Sequence, residues 1–316
     1  MTDELKNFII SFIIPVLNGE KHIGQCLDHI FREMDDNDEI IVVDNGSIDD
    51  TLKIIKRYKK VTILIFPEVT IAALRNRGAD IAKGDILAFI DSDCLVCEGW
   101  RNAAVSIMND GKISATGSRV DISSSAGWIE KAWYSNRLRK QSKINYINSG
   151  NLVVRKDIFK VLSGFKEELE TDEDCDFGDR LNNMGCCMIE APQIRVIHLG
   201  NAKTLREFFK KEKWHATSIL STMSLKKVDK PMIMTFIFMI CLLISISMLP
   251  FFLFFNLNPI IIALLILLAP LMTVLYRVYQ YKNYRYFFHL IILYFLYYLV
   301  RSITVMKALL TFIFRR

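Results

Sequence analysis

Between Pro231 and Phe255 the chain carries no charged residue. A stretch of this length can cross a bilayer only as a helix, because lipid offers no partner for backbone N–H and C=O groups. A turn-like Asn256-Leu257-Asn258-Pro259 follows, and a second uncharged run covers Ile260 to Tyr276. Together they predict a transmembrane hairpin over 231–255 and 259–277. A third apolar segment, 286–312, is interrupted by Arg301 and Lys307. It could span with Arg301 held by a partner, or lie along the interface. Lys226, Lys227 and Lys230 before the hairpin, and Arg277, Lys282 and Arg285 after it, put both its ends on the cytoplasmic side. Met1 to Lys6 lacks the basic start and apolar core of a signal peptide. The expectation is a multi-pass protein of the cytoplasmic membrane: residues 1–225 cytosolic, 231–316 in the membrane. An interfacial helix over about 204–225 would join them, mixing Phe208, Phe209 and Trp214 with Lys210, Lys211 and Lys213.

Composition narrows the partners. The formal net charge of +6 is modest for a chain of 316 residues, and an anionic membrane surface accounts for it better than nucleic acid does. Seven cysteines at irregular spacing suit a reducing compartment. Cys94 and Cys97 stand as C-x-x-C, but their only counterpart is the adjacent pair Cys186-Cys187, so buried free thiols are expected rather than zinc.

The first half of the chain alternates short apolar runs with helical periodicity. Strands are predicted at Phe8–Val16, Glu39–Val43, Val61–Phe66 and Ile86–Ile90. Helices are predicted over Glu20–Met34, from Asp49 onward, and over Ile71–Ala82. That rhythm means an α/β fold with a doubly wound, mostly parallel sheet. Beyond it come a helix near Trp100–Met108, strands at Ile113–Ala115 and Leu152–Val154, and a Ser- and Gly-rich segment over 118–127 that reads as a mobile loop. Trp128 to Lys143 mixes aromatics with Lys131, Arg137, Arg139, Lys140 and Lys143, either a solvated helix face or a contact for an anionic acceptor or lipid headgroup.

Open α/β sheets bind ligands at the carboxyl ends of their strands, and acids collect there. Asp91-Ser92-Asp93 ends the run Ile86–Ile90, and on an extended strand both carboxylates face one way. Oxygen ligands of this kind suit a divalent cation, Mn²⁺ or Mg²⁺, bridging to a diphosphate. Asp44, at the end of the second strand, could accept a hydrogen bond from a ring N–H of a nucleotide base. Arg75, on the helix before the metal strand, could form a fork with a phosphate. Of the eight acids between Glu167 and Asp179, Asp174 beside Glu173 is the chosen general base, and Asp172 and Asp176 read as loop and capping acids. His198 could ligate the metal or touch the diphosphate, or be a structural residue at a strand end. Gly150 and Asn151 may let the backbone approach the donor sugar, although Gly150 would also suit a plain turn.

These motifs, in this order, resemble the family 2 glycosyltransferases, inverting enzymes of the GT-A fold that use nucleotide-sugar donors. Ser11-Phe-Ile-Ile-Pro-Val-Leu-Asn-Gly-Glu20 is similar to the family's first strand and turn, and Ile41 to Thr51 to its second. Ala73-Leu-Arg-Asn-Arg-Gly-Ala79, Ala82-Lys-Gly-Asp85 and Ile90-Asp-Ser-Asp93 resemble its approach to the metal. Ser149 to Arg155, Gly164-Phe165 and Glu173-Asp-Cys-Asp176 with Arg180 resemble its acceptor half. The resemblance covers roughly residues 8 to 200. It implies donor binding through Pro15, Val16, Asn18, Glu20, Asp44, Asn45, Gly46, Arg75, Asp91, Ser92, Gly150 and Asn151. It further implies metal binding through Asp91 and Asp93, with His198 a further candidate, and catalysis by Asp174 with Glu173. Leu17 stands where many members carry an aromatic residue. The Gln-x-x-Arg-Trp element of processive synthases is missing, Lys211-Glu-Lys-Trp214 being the nearest stretch.

The resulting expectation is a single sugar transfer from a nucleoside-diphosphate donor, taken as a UDP-sugar, to a hydroxyl of a lipid-linked or membrane-proximal glycan in cell-envelope polysaccharide synthesis. A polyprenyl-phosphate glycosyl synthase and a non-catalytic nucleotide-sugar-binding membrane component remain as alternatives. A nucleotidyltransferase would need a Gly-rich phosphate loop after the first strand, where Asn18-Gly19 is all there is.

Overall fold

The computed structural model describes residues 7–134, 142–216, 230–255 and 260–314. Contacts divide the chain into two units: 1–124 with 139–201, and 125–138 with 202–316. The sequence had suggested one domain through residue 225. The difference arises because Trp128–Tyr134 and the segment after Asn201 pack with the apolar helices and not with the sheet.

In chain order the first unit carries β1 (Ile10–Val16), α1 (Ile23–Glu33), β2 (Glu39–Asp44), α2 (Thr51–Ile55), β3 (Val61–Ile65), α3 (Ile71–Ile81), β4 (Ile86–Ile90), β5 (Cys94–Val96), α4 (Trp100–Met108) and β6 (Ile113–Gly117). After α5 (Trp128–Tyr134) of the second unit come β7 (Ser142–Lys143), β8 (Asn151–Arg155), α6 (Lys156–Val161), α7 (Glu173–Asn183), β9 (Cys187–Glu190) and β10 (Val196–His198). Among the described residues the main sheet runs β3-β2-β1-β4-β8-β6-β9-β7, and β5 pairs with β10 in a small second sheet. β1 to β4 are mutually parallel, whereas β8 runs antiparallel between β4 and β6. The ends of β1, β2 and β4 and the start of β8 therefore arrive at one edge, with Ile90 opposite Asn151.

Both faces of the sheet are covered, and alternation sorts the side chains. Phe12, Ile14, Val42, Ala88 and Ile90 pack with α1 and α4, while Ile13, Ile41, Val43, Leu87 and Phe89 pack with α3, α6 and α7. Near-continuous apolar strands are what a sheet buried on both faces requires. Phe89 lies 5.2 Å from Phe159 and 5.1 Å from Phe165, ring to ring, and each such burial stabilises by roughly 1.5–3 kcal/mol. The segment expected as a mobile loop is tied down over its first four residues. Ser118 Oγ donates to the Ile194 carbonyl at 2.5 Å, and Asp121 exchanges backbone hydrogen bonds with Val196 and His198.

The second unit holds α5, α8 (Leu205–His215), α9 (Lys230–Phe255), α10 (Ile260–Tyr281) and α11 (Phe287–Phe314). Three stretches, Lys230–Pro250, Ile260–Tyr281 and Phe287–Lys307, are long and apolar enough to cross a membrane. The third is part of one continuous helix, although Arg301 and Lys307 interrupt its apolar run. Its Arg301 guanidinium lies 4.2 Å from the Tyr297 ring. Trp133 of α5 packs against Phe208 of α8 and Tyr294 of α11. Arg277 donates to the carbonyls of Ala132 and Trp133 and to the Tyr294 hydroxyl, so this cation caps the carboxyl end of α5. Arg137, Arg139, Lys140 and residues 217–225 of the expected interfacial segment lie outside the described residues.

Candidate active site

Five acids gather around the strand-end edge, and each is held differently. Asp44, at the end of β2, is fully buried. Its Oδ1 accepts from the backbone N–H groups of Gly46 and Ser47, both at 2.8 Å, while its Oδ2 is buried with no partner. An unmatched buried carboxylate oxygen is costly, and a ring N–H donor would satisfy it. The flanking residues expected on the donor have other work. Asn18 Oδ1 accepts from Ile48 N, Glu20 Oε2 accepts from Asp50 N, and the Asn45 amide exchanges two hydrogen bonds with Val69. Asn18 and Glu20 zip the β1–α1 loop to the β2–α2 loop, and Asn45 ties the latter to the β3–α3 loop, leaving Pro15, Val16 and Gly46 to frame Asp44.

Asp91-Ser92-Asp93 forms a turn between β4 and β5, closed by Cys94 N donating to the Asp91 carbonyl at 2.9 Å. The expected extended strand is thereby corrected to a turn, in which Asp91 faces Arg75 and Asp93 faces His198. Asp91 Oδ1 accepts from Arg75 Nη2 at 2.7 Å, and Arg75 Nη1 donates to Glu173 Oε1 at 2.6 Å. Arg75 is 1% exposed. Its expected fork with a phosphate is likewise corrected, since both terminal nitrogens are committed to protein carboxylates. Burial alone would pull its pKa down, but Asp91, Glu173 and Asp174 hold it above the ordinary arginine value.

Asp93 faces His198. Asn201 Nδ2 donates to the His198 carbonyl at 3.0 Å, which orients the amide so that Oδ1 faces His198 Nδ1 at 2.9 Å. Nδ1 thus faces an acceptor, and Nε2 lies 3.4 Å from Asp93 Oδ2. Either a proton on Nε2 or a metal ion held between the two atoms would satisfy this approach. Asp93, Cys94 and His198 bring ligand atoms within 4.8 Å of one another. Burial, and then Asp91 and Asp93, push the Cys94 thiol well above its ordinary value, so it stays protonated and is a poor ligand. The usable set is one carboxylate and one imidazole with a hydrogen-bonded second nitrogen, a set that fits Mn²⁺ or a similar divalent ion. Gly200 matters here because any Cβ at that position would strike the Asp93 carboxylate.

Glu173 and Asp174 open α7, where the helix dipole favours acids. Asp174 Oδ1 accepts from Cys175 N at 2.8 Å, and Oδ2 accepts from Ser149 N at 3.1 Å. Burial, and then the neighbouring Glu173, push the Asp174 carboxyl above the usual aspartate range, against the pull of the Ser149 N–H and Arg75. Gly150 could carry no side chain, because a Cβ there would collide with the Asp91 carboxylate; its carbonyl accepts from Asp91 N at 3.3 Å. Asn151 is fully buried, accepts from Trp100 Nε1 at 3.1 Å and donates to Ser118 and Ile194, so its side-chain amide is spent inside the core. Ser92, on the metal turn, is half-buried. Sequence reasoning missed Tyr146, Gly200 and Asn201. None carries a local pattern, since each acts on a residue brought near by the fold.

Residues 11–162 match the model of the Glycosyl transferase family 2. Over 215 residues the chain is 29% identical to glycosyltransferase AglE of Haloferax volcanii, covering 64% of this chain and 70% of AglE. It is 34% identical over 95 residues to glycosyltransferase GlyG of Streptococcus pneumoniae, covering 28% of this chain and 32% of that relative. The fold is similar to that of mannosyltransferase PcManGT from Pyrobaculum calidifontis, solved in complex with GDP-Man and Mn²⁺. The TM-score is 0.55 at 17% identity, over 71% of this chain and 68% of that one. The chain thus carries a family 2 glycosyltransferase domain of GT-A-like fold, and the enzyme class is transferase.

Proposed function

We propose that this domain transfers one sugar, with inversion, from a nucleoside-diphosphate donor, most simply a UDP-sugar, to a hydroxyl of a lipid-linked or membrane-proximal glycan. The observation that carries the reading is the pairing across Arg75. Arg75 bridges Asp91, two residues before the Asp93 that faces His198, to Glu173, whose chain neighbour is Asp174. The unmatched Asp44 oxygen supports a base-binding corner. Asp93 and His198 would hold a divalent cation, and that ion supplies charge neutralisation for the departing diphosphate. The Mn²⁺ found with PcManGT accords with this.

Asp174, ionised, takes the proton of the acceptor hydroxyl as its oxygen bonds to the anomeric carbon. The bond from that carbon to the phosphate oxygen breaks, and its electron pair leaves on the diphosphate. General-base assistance of this kind contributes about 10²–10⁴-fold. Arg75 pairs with both Asp91 and Glu173, which fixes the spacing between the two halves. The three apolar helices support an acceptor at a membrane, with the domain on its cytosolic side.

The test is the anomeric configuration of the product by NMR, run beside Asp174→Asn. Inversion, with turnover reduced roughly 10³-fold in the variant and donor KM unchanged, is the expected result. Retention of configuration, or an Asp174→Asn variant at wild-type speed, would overturn it.

A further inference from the structure

Along α7, Asp174, Gly178 and Asn182 are spaced four residues apart and form one stripe. Gly178 has no side chain, and its Cα face receives the backbone of the β7–β8 loop. A Cβ there would sit 2.6 Å from the Asn145 carbonyl oxygen and 3.4 Å from the Tyr146 Cα. One turn further on, Asn182 Nδ2 donates to the same Asn145 carbonyl at 3.0 Å. With the loop seated in this way, the Tyr146 hydroxyl reaches back to donate to Asp174 Oδ2 at 3.3 Å. The ring itself takes no such part in the core: Tyr146 is 43% exposed although its hydroxyl is enclosed. An aromatic face is thus presented beside the carboxylate assigned as base.

We propose that Tyr146 is the floor of the acceptor subsite, its hydroxyl positioning Asp174 and its open ring face carrying a sugar ring whose own hydroxyl is the nucleophile. The inference rests on the assignment of Asp174 as general base. The C–H face of a pyranose carries slight positive charge and lies well on the negative face of an aromatic ring. A phosphate acceptor suits this corner poorly. Glu173 and Asp174 would repel it on the Tyr146 side, away from the cation proposed at Asp93 and His198, and Arg75 is buried with both terminal nitrogens committed. The acceptor class is therefore a glycoside, and Tyr146 acts on the reaction as a positioning residue.

The experiment uses the full chain, purified in a detergent without a sugar head group. Nucleoside diphosphate release from UDP- and GDP-sugars is followed with octyl glycosides of glucose, galactose and N-acetylglucosamine, and separately with undecaprenyl phosphate. Wild type, Tyr146→Phe, Tyr146→Leu and Asp174→Asn are compared, with melting midpoints as a check on folding. We expect a glycoside to accelerate release and undecaprenyl phosphate to leave it unchanged. Tyr146→Phe should keep the acceptor KM, lower kcat about 5–10-fold and move the acidic limb of the pH profile upward, because the carboxylate loses a donor. Tyr146→Leu should in addition raise the acceptor KM about tenfold with the donor KM unmoved. Failure of every glycoside to accelerate release overturns the acceptor class. Wild-type kcat and KM in both Tyr146 variants, with Asp174→Asn inactive, overturns the Tyr146 assignment alone. Wild-type turnover in Asp174→Asn overturns the base, and this proposal with it.

Discussion

Two corners of the same sheet edge are written alike in sequence and built differently. β2 and β4 are both apolar strands followed by aspartate. At β2, Asp44 is held by neutral backbone N–H groups, with one oxygen left over for another neutral donor. At β4, Asp91 is matched by a buried cation and Asp93 faces the His198 imidazole. The chemistry of a strand-end acid is thus decided by what the rest of the chain brings to it. At β2 that is a loop two residues away. At β4 it is α3, α7 and the strand β10, from up to a hundred residues away.

The corners should therefore break in different ways. The largest effect is expected from Arg75→Met, which leaves the buried Glu173 and the half-buried Asp91 without their cation. Unpairing a buried charge costs about 3–5 kcal/mol, so the urea or thermal midpoint should drop sharply and activity with it. Asp44→Asn, at the other corner, removes no ion pair. It should leave the midpoint nearly unchanged and raise the donor KM about tenfold at constant kcat, as measured by donor saturation. Asn201→Ala frees the His198 ring and should weaken metal affinity roughly 10–100-fold in a Mn²⁺ titration, without touching donor binding in the absence of metal.

The pH dependence sharpens the contrast further. Asp174 is held above the usual aspartate range by burial and by Glu173, and it must be ionised to act. The acidic limb of kcat should therefore lie above the pH of about 4 at which a free aspartate titrates. Stability runs the other way: as pH rises through the raised pKa, the folded state loses a proton it bound more tightly than the unfolded chain, and stability falls. The smallest effect belongs to the second unit. Burial lifts Glu212 on α8 to about 7 although Arg301 opposes it. Glu212→Gln should remove part of the loss of thermal stability between pH 4.5 and about 7, read as a flatter midpoint-against-pH curve.

The strands and helices of the first half were legible because buried parallel strands and amphipathic helices leave periodic marks. Asp44, Asp93, His198 and Asp174 were legible because acids and histidines at strand and helix ends carry chemistry. The roles of Arg75 and Asn151 were not. An arginine on a helix before an acidic turn reads the same whether it meets a phosphate or Glu173, and only the arrival of α7 decides. Asn151 sits in a motif, yet Trp100, Ser118 and Ile194 consume its amide from three separate segments. The turn at Asp91–Asp93 escaped the strand expectation because the apolar run stops at Ile90 and nothing in the sequence states the backbone direction after it. The division into units was hidden for a similar reason. Trp133 finds its partners, Phe208 and Tyr294, far along the chain.

The central claim is that the β4 corner works with a metal and the β2 corner does not. It is tested most directly by nucleoside diphosphate release from a panel of UDP- and GDP-sugars, with and without Mn²⁺, in wild type, Asp93→Ala and Asp44→Asn. The account predicts Mn²⁺-dependent release that Asp93→Ala abolishes, roughly a 10³-fold loss, while Asp44→Asn stays Mn²⁺-dependent and recovers at high donor concentration. Release that is indifferent to Mn²⁺, or that survives Asp93→Ala, would contradict it.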